Sequence, residues 1–441
     1  MTTPPADPRH VSGFSKFTKE QKRRWIRQTY LNDAAADFAT FDYPDEQLQT
    51  TLDGFSENTI ANFPLPLGVA PNFVINGRTY AVPMVTEESS VVAAAGSAAK
   101  YWAERGGFRA EVVATTKIGQ LHFCWGGNPD RRAALLPALI ERLTAATEHL
   151  TERMTARGGG ITSIEWLHLP AVAEDFYQLH VSFDSRDSMG ANFINSVLEQ
   201  YGASLSEWSQ TNPDLIPAER KVEVIMAILS NYTPDCRVRA WVESDIEAMN
   251  VAGSGVAARD FCRRFELAVR IATEDPYRAV THNKGIMNGI DAVVLATAND
   301  FRAIEAGVNA YAARDGQYRS LSSCILTDTH FRFELEVPLA LGTVGGLTRL
   351  HPLAARSLEI LGNPSAEELM QIVAATGLAQ NFAALRSLVT TGIQKGHMKM
   401  HLQNILRQQH ASARETQAAT AHFSDRVISY QGVREFLAGL R

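Results

Sequence analysis

Apolar and polar positions repeat with two different periods along the chain, and the changes of period divide it. Residues 12–31, SGFSKFTKEQKRRWIRQTYL, carry helical spacing, and Thr18 with Gln21 fits a capping box at its start. Residues 62–84, NFPLPLGVAPNFVINGRTYAVPM, change character. Prolines and the Asn76-Gly77 dipeptide punctuate apolar runs, which predicts loop, strand, tight turn and strand. Residues 87–105, EESSVVAAAGSAAKYWAER, are rich in small helix formers.

From about residue 108 the pattern reads as strand (FRAEVVATTKIGQLHFCW), helix (DRRAALLPALIERLTAATEHLTERM, ended by Gly158–Gly160) and two strands (ITSIEWLHL and DFYQLHVSFDS). Then come a loop and helix (DSMGANFINSVLEQYGASL) and further strands (AERKVEVIMAILSN and CRVRAWVES). The order β-α-β-β-α-β predicts a ferredoxin-like open sandwich. Beyond residue 255 the chain is largely helical, broken by the strand-like FRFELEVPLALGTVGG, and it ends in an amphipathic helical tail. The Pro-rich first ten residues are expected to be disordered.

Composition narrows the class. The 441 residues allow two or three domains; 45% are hydrophobic and 20% charged, and the formal charge is −6. That balance gives no general attraction to nucleic acid. The basic run Lys19, Lys22, Arg23, Arg24, Arg27 is read as a solvated helix face. Four cysteines without a C-x-x-C pair argue against a disulfide scaffold or zinc ribbon. With no signal region and no run near the ~20 apolar residues of a membrane span, a cytoplasmic protein is expected.

The candidate chemistry begins in THNKGIMNGIDAVVLATAND, residues 281–300, an apolar run with Lys284 near one end and Asp300 at the other. A continuous helix would hold them about 24 Å apart. They meet only if the chain turns, and Asn288-Gly289-Ile290 offers a break. Glu87 and Glu88 interrupt an apolar run at a strand-to-helix turn, where a carboxylate caps a helix or serves as a tuned acid. His397 and His401 lie four apart, on one face of a helix. That spacing suits a metal, but Met398 stands where H-E-x-x-H needs glutamate, so a zinc hydrolase is only an alternative. No G-x-G-x-x-G, P-loop or G-x-S-x-G motif occurs in the right context. In DSMGAN, Gly190 sits after a strand and before a helix, a place for an ordinary turn or for phosphate at a helix N-terminus.

Seven segments, taken in order, resemble the class II, bacterial-type 3-hydroxy-3-methylglutaryl-CoA (HMG-CoA) reductases. They are ENTIANFPLPLGVAPNFVINGR, PMVTEESSVVAAAGSAAK, RDSMGANFINS, the run from DPYRAVTHNKG to NAYAAR, GTVGGLTRLHPLA, GLAQN and GIQKGHMKMHLQNI. The resemblance implies an α+β fold: a large, mainly helical substrate domain (1–112 and 229–387), an inserted ferredoxin-like dinucleotide-binding domain (113–228) and a C-terminal helical flap (388–441). It implies four-electron reduction of HMG-CoA to mevalonate and CoA with NADH or NADPH, or the reverse, without a metal. Its catalytic set maps to Glu88, Lys284, Asp300 and His397, with Asp300 paired to Lys284. Substrate-binding positions map to Ser90, Arg278 and Asn288, and cofactor-binding positions to Asp187, Met189, Gly190, Ala191 and Asn192. A homodimer with a shared site is implied, with no nucleic acid or membrane partner. Ala61 and Ala298 stand where the family has glycine, and Ser89 where it has proline. Thr162 and Ser163 occupy the region where NAD-preferring members carry an acid, so the choice between NADH and NADPH stays open. A CoA-ester-binding protein without catalysis is a further alternative.

Overall fold

The computed structural model describes residues 9–31, 37–390, 392, 394–424 and 426–441, of which 394–400 by their backbone alone. Most of the N-terminal stretch expected to be disordered lies outside the described residues. The chain opens with α1 (Lys19–Tyr30) and α2 (Glu46–Asp53). The Thr18–Gln21 capping box forms at α1 in both directions. The basic face of α1 is not all solvated, as the charge run suggested. Arg23 is buried and donates to the Ile60 carbonyl, to Glu20 and to both carboxylate oxygens of Asp42. A guanidinium buried this way needs its donors satisfied, and Asp42 sits far enough along the chain to escape a local reading of charge.

Strands β1 (Leu67–Ile75) and β2 (Arg78–Val85) pair as an antiparallel hairpin through Asn76-Gly77, both at positive φ. Helix α3 (Val91–Ala103) follows and packs on β1. What read as one strand at 108–125 is two, β3 (Arg109–Val112) and β4 (Lys117–Trp125), in different sheets. Past Val112 the amides still follow the same neighbouring segment, Val113 N–H to the Arg237 carbonyl and Thr116 N–H to that of Asp235, and at Lys117 the chain passes into the other sheet.

β4, α4 (Arg132–Thr155), β5 (Gly160–His168), β6 (Phe176–Asp184), α5 (Ala191–Thr211) and β7 (Val222–Ser230) then build one antiparallel sheet in the order β5-β6-β4-β7. Its core joins Phe123, Trp125, Trp166 and Tyr177 of the sheet to Leu139 and Leu143 of α4 and Leu198 and Tyr201 of α5. Strand β8 (Arg237–Asp245) returns to β3, and a second sheet runs β3-β8-β10-β9, with β9 at Ser322–Leu326 and β10 at His330–Pro338.

Between β8 and β9 come α6 (Ala258–Glu274), α7 (Pro276–Ala296) and α8 (Phe301–Ala312). After β10 come the helical turn α9 (Leu347–Leu350), α10 (Pro352–Ile360) and α11 (Ala366–Val389). Helix α11 is apolar almost all round and lies at the centre of the large core against α7 and α3. It is long and apolar enough to cross a membrane, contrary to the reading of the sequence, but 72% of its most apolar window is buried inside the fold. A helix apolar on every face is a core helix when the protein itself surrounds it. The chain closes with α12 (Gln394–Gln408), α13 (Ala413–His422) and α14 (Tyr430–Leu440), which share a small core of their own around Leu402, Ile405, Phe423 and Leu437.

Candidate active site

Helix α7 carries the lysine, and it does so without the expected break. It is continuous from Pro276 to Ala296. Gly289 is there for close approach instead: a Cβ on it would stand 2.7 Å from the Thr376 carbonyl oxygen of α11. The chain turns only at 297–299, where Ala298 adopts φ 53° and the amides of Ala298 and Asn299 bond to the Leu295 and Val294 carbonyls. A residue in the left-handed region just past a helix end is usually glycine. Ala298→Gly is therefore expected to stabilise the protein by about 0.5–1 kcal/mol, the left-handed strain removed exceeding the entropy glycine adds. A rise in the thermal midpoint checks this, and a fall would refute the strain account.

Lys284 projects from α7 toward the turn that precedes α3. Its Nζ lies 3.7 Å from Glu88 Oε2, with the two side chains 62% and 36% exposed. Glu88 is not the helix cap: Ser90 holds that position, and its hydroxyl sits 3.4 Å from Glu88 Oε1. So Glu88, Ser90 and Lys284, from segments nearly two hundred residues apart, come together at one place. Asn288 is one turn further along α7, half-buried.

Asp300 departs from expectation. Among the described residues no ion pair joins it to Lys284. It caps α8, accepting from the Arg302 and Ala303 amides, and it holds the Arg302 guanidinium at 3.2 Å. Burial works against its ionisation, but the Arg302 hydrogen bond and the cap amides outweigh that and hold its carboxyl below the ordinary value. A cap residue followed two positions later by arginine finds both partners locally, so spacing alone could not promise the lysine.

Arg278 is half-buried, and burial works against its charge. Among the described residues it makes no ion pair and no hydrogen bond. A partly desolvated guanidinium without a counter-ion is a place for an anionic ligand. His397 lies on α12, but its side chain is outside the described residues; His401 is exposed. Among the described residues no group of three or more His, Cys, Asp or Glu is placed to hold a metal.

The DSMGAN segment forms a second feature. Gly190 is left-handed at φ 90°, and a Cβ there would fall 2.8 Å from Ser185 Cβ and Oγ. It opens the 21-residue α5 with no side chain capping it, so the first-turn amides at Ala191 and Asn192 remain available to a phosphate. That cradle suits one phosphate of a dinucleotide. Asp187 braces it: its carboxylate accepts the Ala366 amide at the start of α11 at 2.8 Å, and its carbonyl accepts the Thr343 amide. Met189 and Ala191 line a small cavity beside the cradle, together with Lys117 and Ile194. Lys117 was missed in the sequence. Its ammonium is buried and ties the Ser185 hydroxyl at 2.6 Å to the Ser188 carbonyl at 2.7 Å. A lone lysine at the start of a strand carries no signal of that role.

Asp291 and Glu305, also unforeseen, face each other between α7 and α8. Burial first, then the Glu305 carboxylate, push the Asp291 carboxyl up to about 8. Its Oδ1 is fully buried without a hydrogen-bond partner, and neither acid has an ion-pair partner among the described residues.

Comparison with known proteins places this arrangement. Residues 18–402 match the family profile of hydroxymethylglutaryl-coenzyme A reductase. The 3-hydroxy-3-methylglutaryl-coenzyme A reductase of Archaeoglobus fulgidus is 35% identical over 407 residues, covering 90% of this chain and 86% of the relative. A probable reductase of the same name from Borreliella burgdorferi is 32% identical over 399 residues, covering 90% and 88%. Among solved structures, the Streptococcus pneumoniae reductase superimposes with a TM-score of 0.69 at 35% identity, covering 98% of this chain and all of that one. A class II enzyme of the same organism bound to NADPH in open conformations gives 0.68 at 36% identity, covering 86% of this chain and all of that one. With its fold and nine-tenths of its length shared in this way, the chain belongs to the hydroxymethylglutaryl-coenzyme A reductase family.

Proposed function

We propose that this chain reduces HMG-CoA to mevalonate and CoA, or runs the reverse, in the cleft between α3 and α7. The observation that carries this is the Lys284–Glu88 pair at 3.7 Å, with Arg278 on the same helix lacking a counter-ion among the described residues. Two reduced nicotinamide dinucleotides, bound one after the other, would each supply one hydride. Every other requirement falls to the chain. Negative charge develops on the thioester oxygen as hydride arrives, and the Lys284 ammonium holds it. Cleavage of the carbon–sulfur bond then leaves an aldehyde and the CoA thiolate, to which His397 gives a proton. The second hydride makes an alkoxide, which Glu88 protonates. Two hydrides and two protons thus convert the thioester into an alcohol and a thiol. Arg278 holds the substrate carboxylate, Ser90 and Asn288 complete the polar wall, and Asp300 adds negative potential near the lysine once Arg302 releases it.

The domain reading follows the same lines. Residues 113–228 are the dinucleotide domain, 1–112 and 229–387 the substrate domain, and 388–441 the flap. The separate core of α12–α14 supports movement of the flap as a unit. A homodimer sharing the site is supported by Tyr277 and Val280, apolar side chains 91% and 56% exposed beside Arg278, where a second copy would cover them. NADPH and NADH both remain substrates of this reading; the Streptococcus pneumoniae relative binds NADPH. Bacterial and archaeal relatives and four unpaired cysteines support a cytoplasmic enzyme.

The CoA arm has a path. From Ser90 the outward face of α3 presents Ala93, Ser97, Lys100 and Glu104. It ends in a cleft of about 500 Å³ that Lys100, Arg105 and Arg386 line together. Ten residues of helix put Lys100 about 15 Å from Ser90, near the reach of a pantetheine arm. Lys100→Ala is expected to raise KM for HMG-CoA about three- to tenfold and to leave KM for HMG-pantetheine, which lacks the nucleotide, unchanged. Equal effects on both would remove the cleft from the substrate path. The reaction itself is tested by following nicotinamide absorbance with HMG-CoA and either cofactor. Two cofactors oxidised per CoA released is the expected result, and no oxidation with either one would end the reading.

A further inference from the structure

Directly before Lys284 stand two fully buried polar residues, His282 and Asn283. His282 Nε2 is 2.7 Å from Ser322 Oγ, and that hydroxyl donates to Asn381 Oδ1 at 2.9 Å. The Asn381 amide in turn donates to the backbone carbonyl of His282 at 3.5 Å. A hydroxyl has one hydrogen, already given to Asn381, so Ser322 must accept from His282 Nε2–H. This defines the tautomer and closes a ring of hydrogen bonds from α7 to the start of β9, to α11, and back to the same residue of α7. Asn283 adds a second tie: its side chain accepts from the Leu321 amide and donates to the Arg319 carbonyl.

Positions 282 and 284 lie about 200° apart around a helix. The turn that is locked inward at His282 therefore points Lys284 outward, to Glu88. We propose that the His282–Ser322–Asn381 ring is the positioning element of the reaction, setting the rotation of α7 so that the Lys284 ammonium meets the reacting oxygen. Burial, and then the charge of Arg278 one turn earlier, push the His282 imidazole down to about 3. It stays neutral at working pH, so it is a positioning residue and not an acid or base in the chemistry. A roll of ten degrees would carry a lysine ammonium about 1 Å, a misplacement that costs on the order of 10²-fold in rate. The inference rests on the reductase reading above.

The test starts from wild-type turnover of HMG-CoA, so that failure of the reaction is seen separately from failure of the ring. In His282→Leu and in Ser322→Ala, kcat is expected to fall about 10- to 100-fold while KM for the nicotinamide stays within about twofold. His282→Gln, whose amide donates in place of Nε2–H, is expected to recover most of the loss. The double variant His282→Leu/Ser322→Ala is expected to be no slower than the worse single variant, because both open one ring. Thermal midpoints run alongside. If His282→Leu is too unstable to assay, Ser322→Ala, which deletes a single oxygen, decides. The proposal is overturned if a folded single variant keeps kcat within twofold of wild type. It is also overturned if glutamine fails to rescue, or if the two losses multiply in the double variant.

Discussion

Lys284→Ala is expected to lower kcat for HMG-CoA reduction by about 10²–10³, with little change in KM for the nicotinamide or in thermal midpoint. The two halves of that expectation have different origins. Lys284 is 62% exposed, and its only ion-pair partner among the described residues is Glu88 at 3.7 Å. An exposed pair of that kind contributes at most about 1 kcal/mol to folding. In the proposed reaction the same ammonium would face an oxyanion in a substrate-filled site, where one fixed donor is worth several times more. Activity and stability should therefore separate cleanly. Steady-state kinetics beside differential scanning fluorimetry make the comparison, and a variant that keeps near-normal kcat would remove the lysine from the oxyanion role. Lys284→Arg is not expected to rescue, because a planar guanidinium cannot put its charge where a compact ammonium sits.

Local chemistry was legible in the sequence wherever both partners lie within a few residues. The Thr18–Gln21 capping box and the Asn76-Gly77 hairpin formed as their spacing predicted. The β-α-β-β-α-β order from β4 to β7 was equally plain, because each element carries its own period and its own terminator. What could not be read were pairings decided across the chain. Arg23 belongs to a run that looks solvated until Asp42 and Ile60 are folded over it. Residues 108–125 look like one strand because nothing local marks the change of sheet between Val112 and Lys117.

The site shows the same division. Glu88, Ser90 and Lys284 are brought together, as the resemblance implied. Gly289 was misread as a breaker because a glycine needed for helix contact and a glycine needed for a turn look alike in one dimension. Asp300 turned to Arg302, two residues away, a local partner that a reading focused on the lysine passed over. His282 was visible beside the lysine, but its ring of partners required positions 322 and 381.

Asp291→Asn is expected to stabilise the protein, and to do so more strongly as pH rises. In the folded chain burial and the Glu305 carboxylate push the Asp291 carboxyl up to about 8, from 3.8 for a free side chain. Below pH 4 both states hold the proton and there is no penalty. Between about pH 4 and pH 8 the folded state keeps a proton that the unfolded chain has released, so stability falls by up to about 1.4 kcal/mol per pH unit. Above pH 8 the pair is doubly charged and the penalty is complete, on the order of a few kcal/mol. Asparagine carries no charge to desolvate, and its amide can donate to Glu305, so it removes the conflict while keeping the strut between α7 and α8. The midpoint difference between variant and wild type should be small at pH 5 and reach roughly 2–5 °C at pH 8. A difference that stays constant across that range would mean that the two carboxyl groups do not share a proton in the folded state. Why an enzyme would retain such a pair follows from its place. Asp291 lies two turns beyond Lys284 on α7, and Glu305 lies on the helix that Asp300 caps. Repulsion there is expected to shift α8 against α7, so wild-type kcat should decline above pH 8 more steeply than that of the asparagine variant.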